Sequence, residues 1–187
     1  MSITDINAPP VEPVTLAAAK EFLRVDGDHE DALIADLITT ARERIEVLGR
    51  TSLIKRRRAY SSARCCTGTL YLNHSAVGRV HSVRIIDGAD NPTEIPLAEL
   101  YINNRASPVS ITTQRRDLFS DYSADAAAIV VEFDAGYGDM PGDVPMQLRQ
   151  AVLLLIAQHY QFRDTAPARP VPMLVDALLM PYRSVRL

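Results

Sequence analysis

The spacing of apolar residues changes twice along this chain of 187 residues, and that change constrains the fold more than any other feature. Across residues 15–49 and again across 143–163, apolar residues recur every three or four positions, which is typical of amphipathic helices. Across residues 53–135 they form short runs between turn residues, which is typical of strands. The sequence therefore predicts an α+β fold: a helical bundle formed by N- and C-terminal helices with an inserted antiparallel β-sheet region.

Two helices are predicted in the first 49 residues. Thr15 is placed to cap a short helix that runs to about Arg24. Asp28 is expected to cap a second helix that runs to Gly49, with Asp31 in its third helical position. Each helix has one apolar stripe and one charged face, so each is expected to pack against a core on one side only.

The middle of the chain predicts short strands separated by turns. The segment from Asp87 to Pro92 is rich in turn residues and divides two of the runs. The predicted strands span residues 54–61, 69–72, 80–87, 99–102, 109–113 and 128–134, and the turn lies between Val83–Ile86 and Glu94–Ile95. We infer an antiparallel sheet from these runs, because the connections between most of them are short.

Helical spacing returns near the C-terminal side. Asp143 is expected to cap a helix with Pro145 in its first turn. The centre of this helix, residues 151–157, is apolar on all sides, so it needs cover on every side, either from this chain or from copies of it. Residues 164–187 are predicted to form a Pro-rich linker, a short helix and a C-terminal tail after Pro181.

Length and composition favour a single soluble domain, spanning residues 1–187. A chain of this size buries enough surface to fold without disulfide or metal cross-links. The longest apolar runs are too short to span a membrane, and the N-terminus has no secretory pattern, so we expect a cytoplasmic protein with no membrane partner. Cys65 and Cys66 are adjacent and are interpreted as reduced thiols.

The small net charge of −3 hides a separation of charge along the chain. Residues 1–48 carry a net charge of −6, whereas residues 49–58 carry +5 without any acid. Such separation suits contact between unlike surfaces of neighbouring molecules. A solvated basic strand at a sheet edge is an equally good interpretation. A third possibility is a small nucleic-acid-binding protein that uses the basic segment 50–58.

No pattern in the sequence indicates chemistry. The acids at residues 26–31 begin like a calcium loop, but the sixth position holds Asp31 instead of glycine. The segment from Gly136 to Pro141 resembles a dinucleotide loop only in its first glycines. His159 lies on the apolar helix and is interpreted as a packing residue. We therefore predict no catalytic residue, no cofactor and no metal site.

Taken together, several segments resemble the head-to-tail connector (adaptor) proteins of long-tailed bacteriophages and of phage-derived gene transfer agents. They cover about half of the chain, at both of its ends. The segments that carry the resemblance are Thr15–Val25, Asp28–Ile34, Ala41–Glu46, Gly136–Gly138, Val144–Ala151 and Leu178–Arg183.

The resemblance implies a structural role in a virion or phage-like particle, at the head–tail junction, after assembly in the bacterial cytoplasm. The family forms rings, usually dodecamers, that dock beneath the capsid portal and above the stopper or tail proteins. Double-stranded DNA passes through the ring axis, without sequence specificity.

The resemblance also implies where such a subunit meets its partners. The C-terminal segment commonly reaches the portal in this family, which predicts portal-binding residues Leu178, Leu179, Pro181, Tyr182, Arg183, Val185, Arg186 and Leu187. A helix folded back on its own domain is the alternative. For contacts between subunits, the separated charges predict pairing of Arg56, Arg57 and Arg58 with a neighbour's Asp31, Asp36 and Glu43.

Overall fold

The structure is a computed structural model that describes residues 2–63, 69–106, 108–113, 126–162 and 171–183. Cys65, Cys66, most of the Pro-rich linker and the tail residues Val185, Arg186 and Leu187 lie outside the described residues. Where the sequence predicts one domain, the contacts group the chain into two compact units. We call Met1–Ala8 with Arg56–Ala135 the sheet unit, and Pro9–Lys55 with Gly136–Arg183 the helical unit.

The helical unit contains four helices among its described residues. They are α1 (Leu16–Leu23), α2 (Asp31–Gly49), α3 (Met146–Gln161) and α4 (Met173–Leu179). The Thr15 cap is confirmed, since its hydroxyl accepts a hydrogen bond from the Ala18 N–H at 3.2 Å. Short 3₁₀ turns lie at Pro141–Asp143 and Met180–Tyr182.

The other two predicted helix caps are wrong. Glu30 occupies the N-cap of α2 without a side-chain cap, and Asp31 is the first helical residue. The Asp28 carboxylate instead accepts a hydrogen bond from Lys20. Pro145 precedes α3, and the Asp143 carboxylate instead accepts from the Met140 N–H at 2.9 Å and closes the 3₁₀ turn. In both cases the carboxylate accepts a hydrogen bond from a donor outside the helix that it was predicted to cap.

The core of the helical unit is built from the apolar stripes of all four helices. Leu155 and Ile156 of α3 are fully buried beside Ile34 and Ile45 of α2. This chain covers α3 only in part, because Leu153, Leu154 and Ala157 are half-buried, and the predicted cover from copies of the chain stays a prediction. One side of this apolar helix therefore remains partly open to solvent.

Among its described residues, the sheet unit contains two antiparallel sheets. The larger has the strand order β1-β2-β8-β4-β5, and the smaller has the order β3-β7-β6. Their strands are β1 (Ser2–Asp5), β2 (Arg56–Ala63), β3 (Thr69–Leu72), β4 (Val77–Asp87), β5 (Pro92–Ile95), β6 (Leu100–Asn103), β7 (Val109–Thr113) and β8 (Ala126–Ala135). The list of predicted strands lacks β1 and β5, although Glu94–Ile95 of β5 was placed after the turn.

Buried and less buried residues alternate along the strands, and the buried ones form a second core within the sheet unit. On β8, Ile129, Val131 and Phe133 are buried, whereas the residues between them are only half-buried. They pack with Tyr60 of β2 and Ile111 of β7 in one hydrophobic cluster. Four helices and two antiparallel sheets make the described chain a mixed α+β structure, as predicted.

Candidate interaction surfaces

The basic strand β2 is held by an acid of its own chain. Arg56 donates from Nε to Asp5 Oδ1 at 2.9 Å and from Nη2 to Asp5 Oδ2 at 3.2 Å. Arg58 Nε lies 2.7 Å from the same Asp5 Oδ1. The Arg56 side chain is only 1% exposed, so its charge is used inside the sheet unit. Arg57, which alternates to the opposite face of β2, is exposed.

His74 lies beside this ion cluster and is buried. Burial, followed by the positive charges of Arg58 and Arg56, lowers the pKa of His74 to about 3. Its ring packs edge-on against Phe133, with centroids 6.1 Å apart. His74 is therefore neutral at pH 7 and forms part of the packing around Asp5. Sequence reasoning missed both Asp5 and His74, because nothing near either residue in the sequence marks their meeting.

The exposed Arg57 lies near two polar side chains, His81 on β4 and Asp134 on β8. Its Nη2 lies 3.5 Å from His81 Nδ1, and His81 Nε2 lies 2.9 Å from Asp134 Oδ1. Asp134 is the ladder partner of Arg57. Among Arg56, Arg57 and Arg58, Arg57 is thus the one whose side chain is exposed to solvent.

The three predicted acidic partners differ in availability. Asp31 is paired with Lys20 at 2.6 Å, and hydrogen bonds from Lys20 to Asp31 and Asp28 raise the pKa of Lys20. Glu43 lies 3.5 Å from Arg42 but is 65% exposed. Asp36 is exposed on α2. These acids belong to the helical unit, whereas the three arginines belong to the sheet unit.

The C-terminal segment is packed against the helical unit along one side. Leu179 is fully buried, and Leu178 is half-buried. Tyr182 meets Tyr137 edge-on with ring centroids 6.2 Å apart. Arg183 donates to the Leu48 carbonyl at 3.1 Å and to Asp176 at 3.0 Å. Within the predicted portal-binding set, these four residues are therefore occupied largely by their own unit.

The opposite side of the same segment is apolar and exposed. Met173 is 68% exposed, Leu174 57% and Met180 68%. Ala177 is exposed as well, and these positions recur at the spacing of one helix face. We call Met173, Leu174, Ala177 and Met180 the α4 apolar face. Pro181 is exposed beside it.

Two glycines shape the connection that follows β8. Gly136 has φ +132°, and a Cβ there would lie 2.4 Å from the Lys55 backbone. At Gly138 a Cβ would meet the Asp143 side chain. The Gly138 carbonyl accepts from the Lys55 N–H at 2.8 Å. These glycines permit close approach of two backbone segments.

The described part of the chain contains neither a metal-ligand cluster nor a membrane-spanning helix. No group of three or more His, Cys, Asp or Glu side chains there is arranged to hold a metal ion. No helix within the same residues combines the length and apolar character needed to cross a bilayer.

An exposed apolar helix face and separated charged groups are typical of surfaces that contact other molecules. Solved structures similar to this chain come from gene transfer agent particles. The chain matches a component of the neck of an empty gene transfer agent (GTA) particle, computed with C6 symmetry, with a TM-score of 0.80 and 25% identity. It also matches a component of the virion of a native GTA particle, with a TM-score of 0.78 and 27% identity.

A third match, to the neck of a native GTA particle computed with C12 symmetry, has a TM-score of 0.72 and 24% identity and concerns the fold alone. Each match covers 100% of this chain and 97% of the other. No protein-family model matches the sequence, and neither does any curated protein. The matched proteins are structural components of particles, which confirms the expectation that this chain is not an enzyme.

Proposed function

We propose that this chain is a structural adaptor subunit at the head–tail junction of a phage-like particle. One observation carries the proposal: the whole chain matches a GTA neck component over 97% of that component's length, with a TM-score of 0.80. Both units of this chain are therefore part of the match. The family resemblance found in the sequence points to the same role.

We infer that the adaptor acts as a homo-oligomeric ring of twelve copies. The family resemblance predicts a dodecamer, and twelve copies are compatible with the C6 symmetry with which one matched neck was computed. The half-buried side of α3 and the α4 apolar face supply apolar surface for association. The ring would contact the portal on one side and a stopper or tail protein on the other.

Double-stranded DNA would pass through the axis of this ring without sequence-specific contacts. A channel for sliding DNA benefits from weak phosphate binding, because tight ion pairs would hold the duplex in place. The net charge of −3 and the use of Arg56 and Arg58 inside the sheet unit agree with a channel of this kind. They weigh against the alternative of a nucleic-acid-binding protein based on segment 50–58.

For the portal contact, the exposed residues are better suited than the buried ones. Docking through the α4 apolar face, Pro181 and the tail leaves Leu179 in its core position. A truncation that removes only residues 184–187 keeps the Arg183 contacts to Leu48 and Asp176. Normal joining of heads to tails by this truncated protein would show that Val185, Arg186 and Leu187 are not needed for docking.

Co-purification tests the function itself. Particles are isolated from a producing culture by density gradient, and this chain is quantified against the portal protein by mass spectrometry. We expect it in the particle fraction at one copy per portal subunit, assuming a twelve-fold portal. Deletion of its gene should leave unjoined heads and tails. Absence of the chain from joined particles would overturn the proposal.

A further inference from the structure

The N-terminal strand β1 is a short edge strand attached to the sheet through a single neighbour. Its ladder partner is β2, with Ser2 opposite Ser61 and Asp5 opposite Arg58. Three of its four residues are exposed, and Ile3 packs against the core only in part. A strand of this length gains little from burial, so its backbone ladder and the Asp5 ion pairs hold it.

Asp5 makes the attachment specific. Its carboxylate accepts two hydrogen bonds from Arg56 and lies 2.7 Å from Arg58. Arg56 is almost completely buried, so Asp5 supplies an opposite charge where water cannot solvate the guanidinium. The site on β2 therefore selects an N-terminal segment with an acid at this register, which every copy of this chain carries.

The chain leaves the sheet unit three residues after β1, since the N-terminal part of that unit ends at Ala8. Residues 6–15 contain no helix or strand, and three prolines, Pro9, Pro10 and Pro13, restrict their backbone. The chain from Pro9 onward belongs to the helical unit, and Arg56 lies 51 residues after Asp5. The chain between β1 and its partner β2 is therefore long, and it begins with a segment whose backbone the three prolines restrict. Such connections favour exchange of terminal elements between identical chains.

We propose that β1 is exchanged between neighbouring copies in the ring, so that Asp5 of one subunit pairs with Arg56 and Arg58 of the next. This inference rests on the proposed ring. Every contact that β1 makes with β2 within one chain is available unchanged between two chains, since β2 is identical in all copies. The exchange links the subunits of a closed ring without a new surface on either of them.

Cross-linking of co-assembled chains tests the exchange. Thr4 and Ala59 are ladder partners, so cysteines placed there lie within reach of a short bis-maleimide, whose two ends each add to one thiol. Both chains carry Cys65→Ser and Cys66→Ser, so that no native thiol competes. One tagged chain carries Thr4→Cys, and a differently tagged chain carries Ala59→Cys. Native mass spectrometry of the same sample measures ring formation independently.

Exchange predicts a covalent product containing both tags, in at least half of the eligible pairs within rings. The matched control places Ala63→Cys on one chain and Ala128→Cys on the other. These residues are ladder partners between β2 and β8, inside the sheet, and should give no mixed product. The same two cysteines in one chain should link within that chain.

Rings that give no mixed product from Thr4→Cys and Ala59→Cys would overturn the exchange and leave the proposed function standing. In that case, a single chain carrying both substitutions should link only to itself. A protein that forms no ring alone or in particles would overturn the ring as well, and native mass spectrometry separates these two failures. A mixed product in the Ala63 and Ala128 control would show that the reagent joins unexchanged neighbours, and would also count against exchange.

Discussion

Arg42 and Glu46 lie one turn apart on α2 with Nη1 and Oε2 separated by 3.2 Å, and their side chains are only 6% and 5% exposed. The second oxygen of Glu46 accepts a hydrogen bond from the Leu53 N–H at 2.8 Å. Arg42 Nε also donates to Glu12 at 2.8 Å. The pair thus fixes the segments that precede and follow the first two helices, in addition to α2 itself.

We expect Arg42→Ala to lower the free energy of unfolding by about 3 kcal/mol, because it leaves the Glu46 charge buried without its main partner. Equilibrium unfolding in urea measures the change. Arg44→Ala, at an exposed position on the same helix, should change stability by less than about 0.5 kcal/mol. Equal losses of unfolding free energy in the two variants would show that the buried ion pair stabilises the protein no more than the exposed Arg44 does.

His74 should make stability depend on pH. Its pKa is lowered from 6.5 to about 3 in the folded protein by burial and by the nearby arginines, so the unfolded chain binds the proton more readily. The stabilisation by neutral His74 is complete above pH 6.5 and is lost as the pH falls towards 3. Between pH 7 and pH 4.5 we expect a loss of roughly 2–3 kcal/mol from this group.

A neutral substitution isolates this effect. His74→Gln should unfold more easily than wild type at pH 7 but should lose less stability on acidification. Urea titrations at pH 7 and pH 4.5 give both values. His29→Gln, at an exposed position, should retain the wild-type slope. If His74→Gln also retains it, His74 does not cause the acid sensitivity.

The loop after β8 offers a test of the glycine geometry. Gly136→Ala places a methyl group 2.4 Å from the Lys55 backbone at φ +132°, so we expect a loss of at least about 3 kcal/mol. Gly142→Ala is the control, because nothing lies within 4 Å of the added carbon. It should change the free energy of unfolding by less than about 0.5 kcal/mol. Comparable stability of the two variants would contradict the close approach.

The predicted helices and strands agree with the structure where the local sequence pattern determines their type and bounds. The bounds of β3 and β7 are those predicted, and Thr15 caps α1 as expected. The predictions fail where a distant partner decides. Strand β1 has only four residues, and its ladder partner is more than fifty positions away, so no periodicity marks it.

Prediction of the candidate surfaces from the sequence is limited in the same way, because distant contacts decide which side chains are exposed. The sequence indicates that residues 50–58 are basic, but the capture of Arg56 and Arg58 by Asp5 depends on pairing of β1 with β2. It indicates an apolar short helix, but not that Leu179 would be buried and Met180 exposed. Which side of a helix meets its own core is decided by tertiary packing.

Charge reversal at Arg57 tests the predicted contact between subunits. Arg57→Glu should reduce ring formation at least tenfold, because the exposed charge would then repel a neighbour's Asp36 and Glu43. Native mass spectrometry measures the ring fraction, and duplex binding is measured on the same protein. Arg79→Glu, also exposed in the sheet unit, is the matched control. Rings of Arg57→Glu that are as abundant as those of wild type would exclude this contact.

Substitutions on the α4 apolar face should reduce assembly while leaving the stability of the subunit almost unchanged. A variant with Met173→Gln, Leu174→Gln and Met180→Gln alters side chains that are 57–68% exposed, so its free energy of unfolding should change by less than about 1 kcal/mol. Its incorporation into particles, counted by mass spectrometry against the portal, should fall at least tenfold, because the docking surface has lost its apolar character. Met146→Gln, at a residue that is 69% exposed at the start of α3, is the control and should be incorporated normally. If the triple variant is incorporated as well as Met146→Gln, the exposed face of α4 is not a docking surface.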